Sequence, residues 1–123
     1  MKRTIKKRKQ EIDSPVLFLI VPRRLNEYDL TPLQKLLLAL IACLSWINND
    51  APYCYASDRY LAGVMQCEEK HVANQLKILD DRNLINRLKN PEHKGLRQIW
   101  LDPEVFELWL EIYDTDQNEL YRS

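Results

Sequence analysis

The sequence predicts a mainly α-helical domain with a small β-hairpin, an α+β fold, and three observations carry that expectation. Apolar residues recur at three and four positions through several stretches that each follow a helix-capping residue. Two short β-prone runs, Leu84–Leu88 and Gln98–Leu101, flank a segment crowded with turn formers, Asn90-Pro91-Glu92-His93-Lys94-Gly95. The chain of 123 residues, 46% hydrophobic and 29% charged, is long enough for one ordinary core and too short for two.

Taken in order, residues 1–14 are polar, basic and without apolar periodicity, so no face there offsets the entropy of ordering, and a disordered arm is expected. Residues 16–21 (Val-Leu-Phe-Leu-Ile-Val) form a continuous apolar run between Pro15 and Pro22 and read as an extra N-terminal strand. Thr31 is placed to cap a helix with Pro32 at its first position, running to about Asn48 on the stripe Leu33, Leu36, Leu37, Leu40, Ile41, Leu44 and Ile47. Tyr53-Cys54-Tyr55 is a candidate short strand. Ser57 caps a second helix ending near Met65, Gln66-Cys67 makes a tight break, and a third helix spans Glu68 to about Arg82 with Val72, Leu76 and Leu79 inward. After the hairpin, Asp102 caps a last helix from Pro103 to about Tyr113, and the polar residues 114–123 are expected to fray.

Charge and composition exclude several classes. The 18 Lys and Arg balance 18 Asp and Glu, but six of the basic groups lie in residues 1–10 with no acid, leaving 12 against 18 and a net −6 over residues 11–123. Two glycines, Gly63 and Gly95, cannot build a glycine-rich phosphate cradle. The longest apolar run, Leu36 to Ile47, is about half of the roughly 20 residues a bilayer requires, and residues 16–21 are too short for a secretory core, so a cytoplasmic protein with no membrane partner is expected. Cys43, Cys54 and Cys67 contain no C-x-x-C pair and read as free thiols. Cys67 and His71 lie four apart, yet no second close pair completes a tetrahedral site, so no metal and no cofactor is expected. His71 and His93 are 22 apart and nothing pairs a nucleophile with a base, so neither an enzyme nor a small-molecule substrate is expected.

The stretch from Ala56 through Val72, ASDRYLAGVMQCEEKHV, followed by Gln75-Leu76-Lys77-Ile78-Leu79-Asp80-Asp81-Arg82-Asn83-Leu84-Ile85, resembles the winged helix-turn-helix unit of DNA-binding proteins. Asn83 stands at the closing turn where glycine is usual, and asparagine is the next most tolerant of positive φ. With Val21-Pro22-Arg23-Arg24-Leu25 and Leu30-Thr31-Pro32-Leu33-Gln34-Lys35 ahead of it, the pattern is similar to the subgroup found in plasmid and phage replication initiators and regulators. The resemblance covers residues 16–101. It implies a winged-helix domain over 15–101, followed by a C-terminal helix over 102–113, and binding of double-stranded DNA for origin recognition or at an operator.

A recognition helix fits the major groove while flanking elements hold phosphates. The base-reading candidates on the third helix are Lys70, His71, Asn74 and Gln75; the amides of Asn74 and Gln75 suit adenine, Lys70 suits guanine or phosphate, and Glu69 can accept from cytosine. The backbone candidates are Ser57 and Arg59 at the second helix, Arg87, Lys89, His93, Lys94 and Arg97 on the wing, and Lys6, Lys7 and Arg8 in the arm. Residues 82–97 hold five cations, Arg82 included, against Glu92 alone. The acids on the third helix oppose this reading and favour a competing one, a winged helix turned to protein binding. In the last helix Phe106, Trp109, Leu110 and Tyr113 form a stripe almost opposite Val105, Leu108 and Ile112, so it is expected to be a homodimer interface unless residues 16–21 or the tail close over it.

Overall fold

The computed structural model describes residues 19–45, 53–89 and 97–122, with side chains of the last helix described as far as residue 112. Its elements are a 3-10 helix, Arg23–Tyr28, then α1 Pro32–Cys43, α2 Asp58–Met65, α3 Glu69–Asp81, β1 Ile85–Lys89, β2 Arg97–Leu101 and α4 Pro103–Arg122. This is a winged-helix α+β architecture.

The caps fall where the sequence places them. Thr31 Oγ1 accepts from the Gln34 amide at 3.2 Å while Gln34 Oε1 accepts from the Thr31 amide at 3.0 Å, a reciprocal capping box that opens α1. Ser57 Oγ accepts from the Tyr60 amide at 3.1 Å and opens α2. Gln66 turns the chain between α2 and α3 at φ 58°, and Asn83 closes α3 at φ 63°. There the Leu84 amide donates to Leu79 O at 3.0 Å and the Asn83 amide to Asp80 O at 2.9 Å, the two bonds of a Schellman ending, with Leu79 and Leu84 both buried.

β1 and β2 pair antiparallel in the register Ile85↔Leu101, Arg87↔Ile99 and Lys89↔Arg97. Cys54 adds a single bridge to Ile99 through bonds of 2.9 and 2.7 Å, which is all that forms of the expected strand at Tyr53-Cys54-Tyr55. The core gathers Leu37, Leu40, Ile41, Leu61, Val72, Leu76, Leu79, Ile99 and Val105. α1 runs through its middle: Leu38, Ala39 and Ala42, off the expected stripe, are buried as well, whereas Leu36 is exposed. The expected end of this helix near Asn48 lies outside the described residues.

Two expectations are corrected, and one element is added to them. Residues 19–21 of the expected N-terminal strand are not in a strand. A lone extended run needs a partner edge, and this one turns its backbone to a side chain instead: Trp109 Nε1 donates to Ile20 O at 2.8 Å. The 3-10 helix at Arg23–Tyr28 was unforeseen; it has no capping side chain, and Leu25, fully buried, anchors it. α4 continues to Arg122 rather than ending at Tyr113, because residues 114–122 contain neither Gly nor Pro and each added residue of a formed helix adds a backbone bond.

Candidate nucleic-acid interface

α2 and α3 pack against each other across the Gln66 turn, and α3 buries Val72, Leu76 and Leu79. Helical geometry therefore turns Lys70, Asn74, Lys77 and Asp81 directly outward, with His71 and Ile78 beside them, and all six are exposed. Lys77 Nζ pairs with Asp81 Oδ2 at 3.2 Å. Among the described residues the side chains of Lys70, His71 and Asn74 make no hydrogen bond or ion pair, and all three are exposed to solvent. Glu68 and Glu69 are exposed at the start of the helix, where the helix dipole favours them.

Gln75 differs from the other expected readers. It is half-buried at the flank of α3, and its Oε1 accepts from Gln34 Nε2 of α1 at 2.9 Å. Gln34, buried at 6% exposure, is thus held at both ends, by Thr31 and by Gln75. Sequence reading missed it, although the T-x-x-Q spacing of a capping box is visible at residues 31–34.

On the expected backbone surface, Arg59 is exposed on α2, and the exposed Ser57 spends its hydroxyl on the cap. The wing arginines are not the free cations expected. Arg87 Nε meets Asp80 Oδ2 of α3 at 2.9 Å. Arg97 donates to Ala56 O from Nε and Nη2 at 3.3 and 3.1 Å and pairs with Asp58 Oδ1 at 2.5 Å. Arg82 donates to the backbone oxygens of Tyr28 and Asp29. Arg87 and Arg97 lock the base of the wing to α3 and α2, since partly buried guanidinium groups need acceptors, and the exposed Arg82 ties the end of α3 to the 3-10 helix. Lys89 is the exposed wing cation among the described residues that has no partner. His93, Lys94, Lys6, Lys7 and Arg8 lie outside the described residues.

Trp109 is 1% exposed and bonded to Ile20, so it leaves the expected dimer surface and belongs to the core of the single chain. Of the apolar run, Leu19 packs against the core and Ile20 accepts the Trp109 bond, so the described part of the run covers this part of the stripe. Phe106 and Leu110 are half-buried, and the Tyr113 side chain lies outside the described residues. Arg24 reaches Glu111 of α4 at 3.6 Å.

Burial pushes the Cys54 thiol up to about 11, with the Ala56 amide and Arg97 opposing, and burial also raises Cys43. All three cysteines are free, and no group of three or more His, Cys, Asp or Glu suited to a metal exists among the described residues. No described helix is long and apolar enough to cross a membrane.

No protein family matches the sequence, and no curated protein matches it. Solved structures do share its fold. A mutant of S. aureus MepR bound to an oligodeoxyribonucleotide superposes with a TM-score of 0.56 at 18% identity over 99% of this chain and 80% of that one. The S. aureus MepR–DNA complex gives 0.52 at 21% identity over 98% and 80%. The transcriptional regulator SlyA gives 0.53 at 18% identity over 95% and 72%. MepR is itself a transcription regulator, of the S. aureus multidrug efflux pump MepA.

Proposed function

We propose that the protein binds double-stranded DNA sequence-specifically through α3 and acts as a transcription regulator at an operator. The observation that carries this reading is the exposed, internally unpartnered set Lys70, His71 and Asn74 on the outward face of the second helix of a helix-turn-helix. A helix of this width fits the major groove, and these side chains offer both donors and acceptors to base edges. Arg59, Lys89, the wing tip with His93 and Lys94, and the basic arm with Lys6, Lys7 and Arg8 supply the phosphate contacts. The wing arginines Arg87 and Arg97 act as braces that aim the hairpin. A homodimer formed through the remaining stripe of α4, Phe106, Leu110 and Tyr113, places two recognition helices on inverted half-sites. The finer role expected from the sequence, origin recognition for a plasmid or phage, uses the same contacts and is separated from operator binding by where the bound fragments lie in the genome.

A fluorescence-anisotropy titration against native genomic fragments and random duplexes at two salt concentrations tests the reading. Tight, salt-dependent binding that prefers a subset of fragments is the expected result. Peaks beside promoters support regulation, and peaks at an origin replace it with initiation. Absence of binding at low salt rejects DNA recognition and favours the protein-binding alternative, which the exposed Glu68 and Glu69 and the internally spent wing arginines support.

A further inference from the structure

We propose that Gln34, a buried residue of α1 outside the helix-turn-helix, is a positioning residue that decides which end of the Gln75 amide faces the DNA. This rests on α3 being the reading helix. A backbone amide only donates, so the Gln34 atom 3.0 Å from the Thr31 amide is its oxygen. The other end of Gln34, 2.9 Å from Gln75, is therefore its NH2 group, which only donates, and the Gln75 atom it meets must be oxygen. The capping box of α1 thus fixes an amide orientation on α3, 41 residues further along the chain.

The consequence is chemical. With Oε1 turned to α1, the end of Gln75 left for a groove is NH2, a donor. It does not offer the paired donor and acceptor that a freely rotating glutamine presents to adenine; it suits the acceptors on keto bases, O6 and N7 of guanine or O4 of thymine. Gln75 is half-buried, so this contact lies at the edge of the reading face, beside Lys70, His71 and Asn74 at its centre.

Gln34→Glu tests this without touching α3. One carboxylate oxygen still accepts from the Thr31 amide, and the other now accepts from Gln75, which must turn its NH2 inward and its carbonyl outward. Selection of bound duplexes from a random library is then run on the wild type, Gln34→Glu and Gln75→Ala, each first shown to be folded by thermal melting. At one position of each half-site, the wild type is expected to select a keto base and Gln34→Glu an amino base, cytosine or adenine, with a preference change of about tenfold. Gln75→Ala is expected to relax that position alone. A loss of packing at Gln34 would weaken every sequence alike and would not exchange one base class for another.

If Gln34→Glu does not fold, Thr31→Pro carries the test: φ of −70° at residue 31 suits proline, and the missing amide frees Gln34 to turn. It is expected to relax the same position as Gln75→Ala. Identical selections by the wild type and Gln34→Glu, or by the wild type and Thr31→Pro, with a relaxed Gln75→Ala overturn the role of Gln34 and leave α3 as reader. A Gln75→Ala selection identical to wild type overturns the inference at Gln75 itself. Absence of any selected sequence for the wild type removes the reading on which it rests.

Discussion

Asn74 stands near the centre of the exposed face of α3, and its amide is free to present either end to a base edge. Asn74→Ala is expected to weaken a selected site by about 1–3 kcal/mol while sparing random duplexes, which competition anisotropy measures directly. At Trp109 the indole is buried and its Nε1 bonds to Ile20 O at 2.8 Å. Trp109→Phe keeps most of the ring and deletes that bond, a loss of about 0.5–1.5 kcal/mol, whereas Trp109→Ala empties the site at about 3–5 kcal/mol. Urea unfolding of the two variants checks the ordering. Cys54 carries a pH dependence: its folded thiol holds a proton up to about pH 11 against an ordinary value of 9.0. A raised acid binds its proton more tightly when folded, so its contribution is complete below about pH 9 and is lost as the pH rises toward 11. Thermal midpoints that fall across this window in the wild type and fall less in Cys54→Ala are the expected result. Periodicity and caps made the α3 face legible, but not the fate of each polar group on it. Gln75 looked equivalent to Asn74 because helical spacing records which side a residue is on and nothing of what α1 brings to meet it.

At the scale of elements, the wing is held by paired charges across element boundaries. Arg97 ties β2 to the start of α2 through Asp58 and Ala56 O, and Arg87 ties β1 to α3 through Asp80. The Arg97 and Asp58 side chains are only 22% and 30% exposed, so their separation leaves a partly desolvated charge without its partner. Arg97→Ala is expected to cost about 1–3 kcal/mol and to speed amide exchange at Cys54 and Ile99, whose backbone bonds form the single bridge from Cys54 to the hairpin. Unchanged exchange at those two amides would show that the brace does not hold the sheet. The run of basic residues in 82–97 was visible in the sequence. Among the described residues, its division into arginines that brace and Lys89 that stays free was not, because Asp58, Asp80 and Ala56 O meet the arginines only after folding.

For the whole molecule, charge is divided between a basic arm of six cations and a remainder of net −6, so attraction to a polyanion depends strongly on residues 1–10. Deleting residues 1–10 is expected to lower the slope of log affinity against log salt by up to about 5, at roughly 0.9 per phosphate neutralised, while leaving the selected sequence unchanged. A deletion that altered the selected sequence would move part of the base reading into the arm, through the minor groove.

Local chemistry settled the elements from the sequence alone. Thr31, Ser57 and Asp102 capped three helices where their side chains stood, Asn83 adopted the left-handed turn its short amide tolerates, and the spacing of Val72, Leu76 and Leu79 chose the buried face of α3. These are interactions within a few residues of chain, and the sequence states them directly. Only the tertiary structure decided that Ile20 O meets Trp109, that Gln34 grips Gln75, and that Arg82, Arg87 and Arg97 each find acceptors within the chain. Each of those depends on groups brought together from distant parts of the chain by burial of the core, an event that no local pattern encodes.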